Sequence, residues 1–177
     1  MTSLDVSDHE MLVGCADNRI RLYDLRKGSL DTDYVGGVVA SLNFTRDGQC
    51  ALVSCVANGV KLFDKSTGEL LSEYTGHINR QYRLDCCLDW TDKYVMSGSE
   101  DGQVYCWQLV EGGLVAKLDH GPGSGPVHSL TQHPGQCQLV TAHMGSISVW
   151  QDRQQQPEPE EECMSSASVY DSKPHWM

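Results

Sequence analysis

His77, Ser99 and Asp101 are the residue types of a hydrolase relay: nucleophile, base and the carboxylate that orients the base. A nucleophilic serine also needs a strained, exposed elbow and an oxyanion hole, usually announced by Gly-x-Ser-x-Gly. Ser99 lacks that frame, so the three residues read as structural. A second candidate, Gly121-Pro122-Gly123-Ser124-Gly125-Pro126, fails as a phosphate loop, because Pro126 stands where the third glycine belongs and a strand pattern follows. It reads as a connecting loop. The eight cysteines contain no Cys-x-x-Cys pair to hold a metal, and Cys86 and Cys87, being adjacent on a strand, point to opposite faces. Cys15, Cys50, Cys55, Cys106 and Cys137 fall on or beside strand patterns, where reduced thiols serve as small apolar fillers. His120, His128, His133 and His143 lack metal-ligand spacing with carboxylates and read as surface or packing residues. No catalytic, cofactor-binding or metal-binding set is expected.

The elements that must position these residues come from a repeat. Aromatic–polar pairs recur as Tyr23-Asp24, Phe63-Asp64, Trp107-Gln108 and Trp150-Gln151, with spacings of 40, 44 and 43 residues between the aromatics. Six residues before each aromatic lies a tight-turn position: Asp17, Ala57, Asp101 and Met144. A fixed period in this range marks stacked supersecondary units, none of which buries its apolar face alone.

Each unit reads as short antiparallel strands. In the third, runs at 83–89, 94–99, 103–107 and 114–118 are divided by Asp, Gly and Asn turn chemistry. In the second, the runs are 38–44, 50–56, 60–64 and 69–75. No segment sustains the 3.6-residue apolar period of a helix. The fold class is all-β.

The period, Gly76-His77, the turn Ser99-Glu100-Asp101-Gly102 and Trp107 together resemble the WD-repeat family, whose unit is the four-stranded blade of a β-propeller. The resemblance implies a hydrogen-bond network among His77, Ser99, Asp101 and Trp107. The other units keep less of it: Cys15, Asp17 and Tyr23; Cys55, Ala57 and Phe63; Ala142, Met144 and Trp150. Tyr23, Phe63 and Trp150 are the remaining repeat-end aromatics. The implied arrangement is about four blades, at approximately 1–35, 36–75, 76–119 and 120–151, followed by a disordered acidic tail at 152–177.

Longer stretches, among them Arg21-Leu22-Tyr23-Asp24-Leu25-Arg26, Thr67-Gly68-Glu69-Leu70-Leu71 and Leu84-Asp85-Cys86-Cys87-Leu88, narrow the likeness. They resemble the C-terminal half of the WD-repeat scaffolds that organise mitogen-activated protein kinases and are also found with spliceosomes. The likeness implies the last four blades of a seven-bladed ring, hence a partial propeller. After Trp150 the expected outer strand is missing, and Ser165-Ala167-Val169-Tyr170 is the segment available to fill it. A four-bladed arc would leave two open, apolar blade faces.

Composition limits the partners. The chain has a formal net charge of −11, and residues 153–177 hold two basic and five acidic side chains, leaving the patterned body near −8. Such a balance opposes phosphate backbones, so any link to RNA is expected to run through protein partners. There is no apolar run of membrane-spanning length and no small-molecule site is expected. The remaining business is recognition by rim loops. The loop His77–Arg83 offers Arg80, Tyr82 and Arg83, residue types enriched at binding hot spots, and Trp90 is a second anchor in a strand–strand turn. Arg26-Lys27 is too small for a kinase-docking cluster. The resemblance implies a non-catalytic scaffold of cytoplasm and nucleus, binding kinase-cascade and spliceosomal proteins. The alternative is a truncated regulatory or non-functional fragment of such a scaffold.

Overall fold

The computed structural model describes residues 1–151 and Tyr170–Asp171. The reading of 152–177 as a disordered tail otherwise lies outside the described residues. Four antiparallel sheets of four strands each follow one another along the chain. Sheet 1 holds β1 (Ser3–Ser7), β2 (Glu10–Gly14), β3 (Arg19–Asp24) and β4 (Ser29–Tyr34). Sheet 2 holds β5 (Val39–Phe44), β6 (Cys50–Cys55), β7 (Gly59–Asp64) and β8 (Leu70–Tyr74). Sheet 3 holds β9 (Cys86–Leu88), β10 (Tyr94–Gly98), β11 (Gln103–Gln108) and β12 (Leu114–Asp119). Sheet 4 holds β13 (Val127–Gln132), β14 (Gln138–His143), β15 (Ser146–Gln151) and β16 (Tyr170–Asp171).

Turn chemistry dictates these hairpins. The turn between the second and third strands needs a left-handed residue in every sheet, and Asn18, Ala57, Gly102 and Met144 all have positive φ. The outer strand of sheet 4 is not missing: Tyr170 pairs with Val149 and Asp171 with Ser148. The first strand of sheet 3 is shorter than its sequence pattern, beginning at Cys86 instead of Arg83. The reason is long-range. The Asp85 amide donates to the His128 carbonyl of sheet 4 while its carbonyl accepts from the Gly98 amide of β10 at 3.2 Å, so the regular ladder begins only at Cys86.

The sheets pack in sequence order. β5 lies on β1 and β2, β9 on β5 and β6, and β13 on β9 and β10, with no comparable packing of sheet 4 back onto sheet 1 among the described residues. One core sits at each junction. Leu12 and Ile20 meet Val39, Leu42 and Phe63 at the first. Leu52, Val60 and Tyr74 meet Leu88, Val95 and Trp107 at the second. Cys87, Met96 and Val104 meet Val127, Leu130 and Trp150 at the third. Cys86 and Cys87 therefore serve different cores, as strand alternation requires. This is a partial β-propeller of four blades.

Candidate interaction surface

The four repeat-end aromatics occupy one structural position. Ladder register pairs Met11 with Tyr23, Ala51 with Phe63, Val95 with Trp107 and Leu139 with Trp150, so each aromatic shares the sheet face turned toward the preceding sheet. Phe63, Trp107 and Trp150 are buried there, whereas Tyr23, in the first sheet described, is only partly covered. Their role is to join blades.

The expected network in sheet 3 is corrected by the geometry. Trp107 Nε1 donates to the Thr75 carbonyl at 3.1 Å. Ser99 Oγ accepts from the Ile78 amide at 2.9 Å, and Asp101 Oδ2 accepts from the Tyr105 hydroxyl at 2.9 Å. Both ring nitrogens of His77 are buried without a hydrogen-bond partner, and the ring instead packs edge-on against Trp107 at 5.3 Å. Burial holds the His77 imidazole down at about 4, with the Asp101 charge pulling the other way. No hydroxyl–imidazole–carboxylate relay is assembled among His77, Ser99 and Asp101.

The linked arrangement occurs in sheet 4, through different residues. Trp150 Nε1 donates to Thr141 Oγ1 at 2.9 Å, and Thr141 Oγ1 lies 2.8 Å from His120 Nε2. The other ring nitrogen of His120 reaches the Gly102 carbonyl at 3.0 Å. Ala142, assigned to the hydroxyl position from sequence, is therefore replaced in that role by Thr141. By the same ladder logic the counterpart of Thr141 in sheet 3 is Ser97, two residues after the partner of the aromatic, and not Ser99. A fixed count back from the tryptophan fails because the intervening turns differ in length.

The cysteines are mostly as expected. Cys15, Cys50, Cys55, Cys86, Cys87 and Cys106 are free. Burial pushes the Cys86 and Cys106 thiols up to about 12, which keeps them protonated and inert. Cys137 lies in the half-covered turn before β14.

The loop between β8 and β9 is an ordered display platform. One carboxylate oxygen of Glu100 accepts the backbone amides of Arg80, Gln81 and Tyr82 at 2.7, 2.6 and 3.1 Å. Partial burial pushes this carboxyl up, but the three amides outweigh it and hold the group below its usual range. Glu100 is the residue that sequence reasoning missed; its only signal was its place in the turn that faces the loop. Buried Leu84 anchors the far end. Arg80, Tyr82 and Arg83 are all exposed, and neither guanidinium is ion-paired among the described residues. Tyr82 rests edge-on against His128 of sheet 4 at 5.2 Å. A cavity of about 350 Å³, lined by Glu73, His77, Asn79 and Arg80 among others, opens beside the loop between sheets 2 and 3.

Trp90 stands on the opposite rim, because it follows the C-terminal end of β9 while the loop precedes its N-terminal end. It is 38 % exposed, and its carbonyl accepts from Arg46 Nη1 at 2.9 Å. The Arg46 amide donates to Asp92 Oδ2 at 2.6 Å, tying the turns of sheets 2 and 3 together. The two candidate anchors thus belong to separate surfaces. A third cluster, His9, Glu10 and Asp24, has the residue types of a cation site. Lys65 already lies 2.6 Å from Glu10 and Lys27 3.3 Å from Asp24, so its charge is answered within the chain.

Residues 68–108, which run from the outer strand of sheet 2 through the third strand of sheet 3, match the family described as WD domain, G-beta repeat. The matched unit thus straddles sheets 2 and 3. The chain is a WD-repeat protein. It is 53% identical over 150 residues to WD repeat domain-containing protein 83 of Xenopus tropicalis, covering 85% of this chain and 47% of that protein. It is 50% identical over 152 residues to the Homo sapiens protein of that name, covering 86% and 48%. The WD repeat domain-containing protein 83 homolog of Dictyostelium discoideum is 33% identical over 142 residues, covering 80% and 43%. The WD-repeat chain spans about half the length of the curated relatives it matches.

Proposed function

We propose that this WD-repeat protein is a non-catalytic scaffold that binds other proteins through its rims. The Glu100-ordered loop carries the reading. Three amides fixed on one carboxylate remove much of the loop's freedom before any partner arrives, which lowers the entropy cost of binding. The loop then presents an aromatic and two unpaired guanidiniums on a rigid base. The partners proposed from the resemblance are components of a mitogen-activated protein kinase cascade and proteins of the spliceosome, in cytoplasm and nucleus. The acidic body supports protein rather than direct nucleic-acid contact.

The test is a pull-down of purified kinase-cascade and spliceosomal proteins by the 177-residue chain, its Tyr82→Ala/Arg83→Ala variant and its Trp90→Ala variant. Loss of at least tenfold in one partner's capture by the loop variant, with unchanged circular dichroism, supports the loop as the docking site. Equal capture by all three chains overturns it. Capture that persists but blocks binding of the partner to a longer relative supports the runner-up, a competing regulatory fragment.

A further inference from the structure

Three hairpins of equal length treat one position differently. In sheets 1, 2 and 3, Gly14, Ser54 and Gly98 pair with Ile20, Val60 and Val104, so the turns between the second and third strands hold the same number of residues. Asp17, Ala57 and Asp101 are therefore equivalent, and so are Arg21, Lys61 and Tyr105 four residues later. In sheet 1 the Arg21 guanidinium donates to the Asp17 carboxylate at 2.6 Å. In sheet 3 the Tyr105 hydroxyl donates to Asp101 Oδ2 at 2.9 Å. In sheet 2 the donor, Lys61, is kept, but Ala57 stands where the carboxylate would be.

Lys61 is 9% exposed, and its Nζ donates to the Val35 carbonyl at 3.1 Å. That bond uses one of the three N–H groups of the ammonium. Among the described residues no carboxylate lies within ion-pair distance of it. Glu73, its neighbour on β8, is exposed and not paired with it. Buried charges are ordinarily paired, because one left uncompensated forfeits its hydration. The surroundings fit an oxyanion. Asn58 Nδ2 and Lys61 Nζ lie 3.1 and 3.4 Å from the point where a Cβ on Gly36 would stand, so two donors converge beneath a residue that has no side chain to crowd them. Gly36 is itself exposed. The cavity beside the β8–β9 loop is lined by Ala57 and Asn58 as well, and so reaches the same turn.

We propose that the β6–β7 turn is a carboxylate-binding site, where an acidic group of another molecule takes the place of the missing turn aspartate against Lys61 and Asn58. The ligand class follows from the two hairpins that are complete, since both place a carboxylate at this position. Charge selects it as well. One ammonium and one neutral amide balance a single negative charge, and with Glu73 close by a dianionic phosphate would be left in excess. The carboxylate can come from an acidic side chain of a protein partner or from a free organic acid. The site is separate from Tyr82 and Arg83 of the docking loop.

The test is an NMR titration of the 177-residue chain, followed at the side-chain nitrogens of Lys61 and Asn58 at constant ionic strength in chloride. The probes are propionate, the peptide acetyl-Gly-Asp-Gly-amide and inorganic phosphate. Propionate and the peptide are expected to shift both resonances saturably, and phosphate to bind at least tenfold more weakly. Lys61→Met, read at Asn58, and Ala57→Asp, which supplies a carboxylate within the chain, should each weaken propionate at least tenfold. Ala57 already holds φ at 60°, a geometry aspartate tolerates, so that variant keeps the test open if Lys61→Met fails to fold. Tyr82→Ala/Arg83→Ala should bind propionate as the wild type does, so this site and the docking loop stand or fall separately. A peptide at least tenfold tighter than propionate supports the site with a partner's acidic side chain as its source; equal affinities support it with a free organic acid. The absence of a saturable shift in the wild type overturns the site and leaves Glu73 as the counter-ion of Lys61. Phosphate binding as tightly as propionate overturns the carboxylate assignment, and unchanged propionate affinity in a folded variant overturns the location.

Discussion

Sheets 1 and 3 are built from the same strand pattern and differ in what lies behind them. In sheet 3 the preceding-side face is sealed: Trp107, Val95 and Leu88 are buried against Leu52, Val60 and Tyr74. In sheet 1 the same face meets solvent, and Tyr23, Leu4 and Val6 remain partly or largely exposed. The lesson concerns where stability resides. A single four-stranded sheet buries one face at most, so the energy of this fold lies at the junctions, and the repeat-end aromatic is a junction residue before it is anything else. The same contrast explains the polar chemistry. Sealed junctions bury groups such as His77 and Thr141, which then respond to environment; the open face buries none.

The notch at Gly98 offers the largest expected break. Gly98→Val places a side chain against the Val127 backbone, and by the usual cost of overpacking should lower stability by about 3 kcal/mol in urea unfolding. Ala142→Val, where Ala142 pairs with Ile147 as Gly98 pairs with Val104 but on a face that no sheet covers among the described residues, should cost less than about 1 kcal/mol. Equal losses would erase the distinction between covered and uncovered faces.

Acid titration sharpens the contrast next. The folded His77 value of about 4 lies below the ordinary 6.5. Between those values the unfolded chain binds a proton that the folded chain refuses, so stability is fully present above pH 6.5 and falls as pH drops toward 4. The shift corresponds to a loss on the order of 3 kcal/mol across that window. His120, also lowered by burial, adds to it in the same direction. His77→Phe should flatten the slope between pH 6.5 and 4; an unchanged slope would remove His77 from the account.

The smallest effect belongs to the loop. Glu100→Gln keeps an oxygen acceptor but removes its charge, which should cost about 1 kcal/mol or less at so exposed a site. Amide hydrogen exchange at Arg80, Gln81 and Tyr82 should nonetheless accelerate several-fold, with the β10 and β11 amides unaffected. Uniform acceleration through sheet 3 would instead make Glu100 a residue of global stability.

Much of this architecture was legible because it is local. The aromatic period and the turn residues six positions earlier announced four hairpin-built sheets; Ala57 and Met144 adopt the left-handed geometry such turns need, while in the other two sheets it falls one residue later, on Asn18 and Gly102. What stayed hidden depended on contacts distant in sequence. The shortening of β9 goes with the bond from the Asp85 amide to His128, which lies well beyond it in the chain. The hydroxyl partner of Trp150 was misplaced by one residue, because ladder register rather than residue counting sets which side chains share a face. The loop bearing Arg80, Tyr82 and Arg83 was visible by composition; its rigidity was not, since a single carboxylate on a neighbouring turn supplies it.

The central claim is that the repeat-end aromatics act by sealing junctions. It is tested most directly by replacing Tyr23, Phe63, Trp107 and Trp150 with alanine, one at a time, in the 177-residue chain. Urea unfolding should show losses of about 3 kcal/mol or more for Phe63, Trp107 and Trp150, against less than about 1 kcal/mol for Tyr23. A Tyr23→Ala loss as large as that of Phe63→Ala would contradict the account.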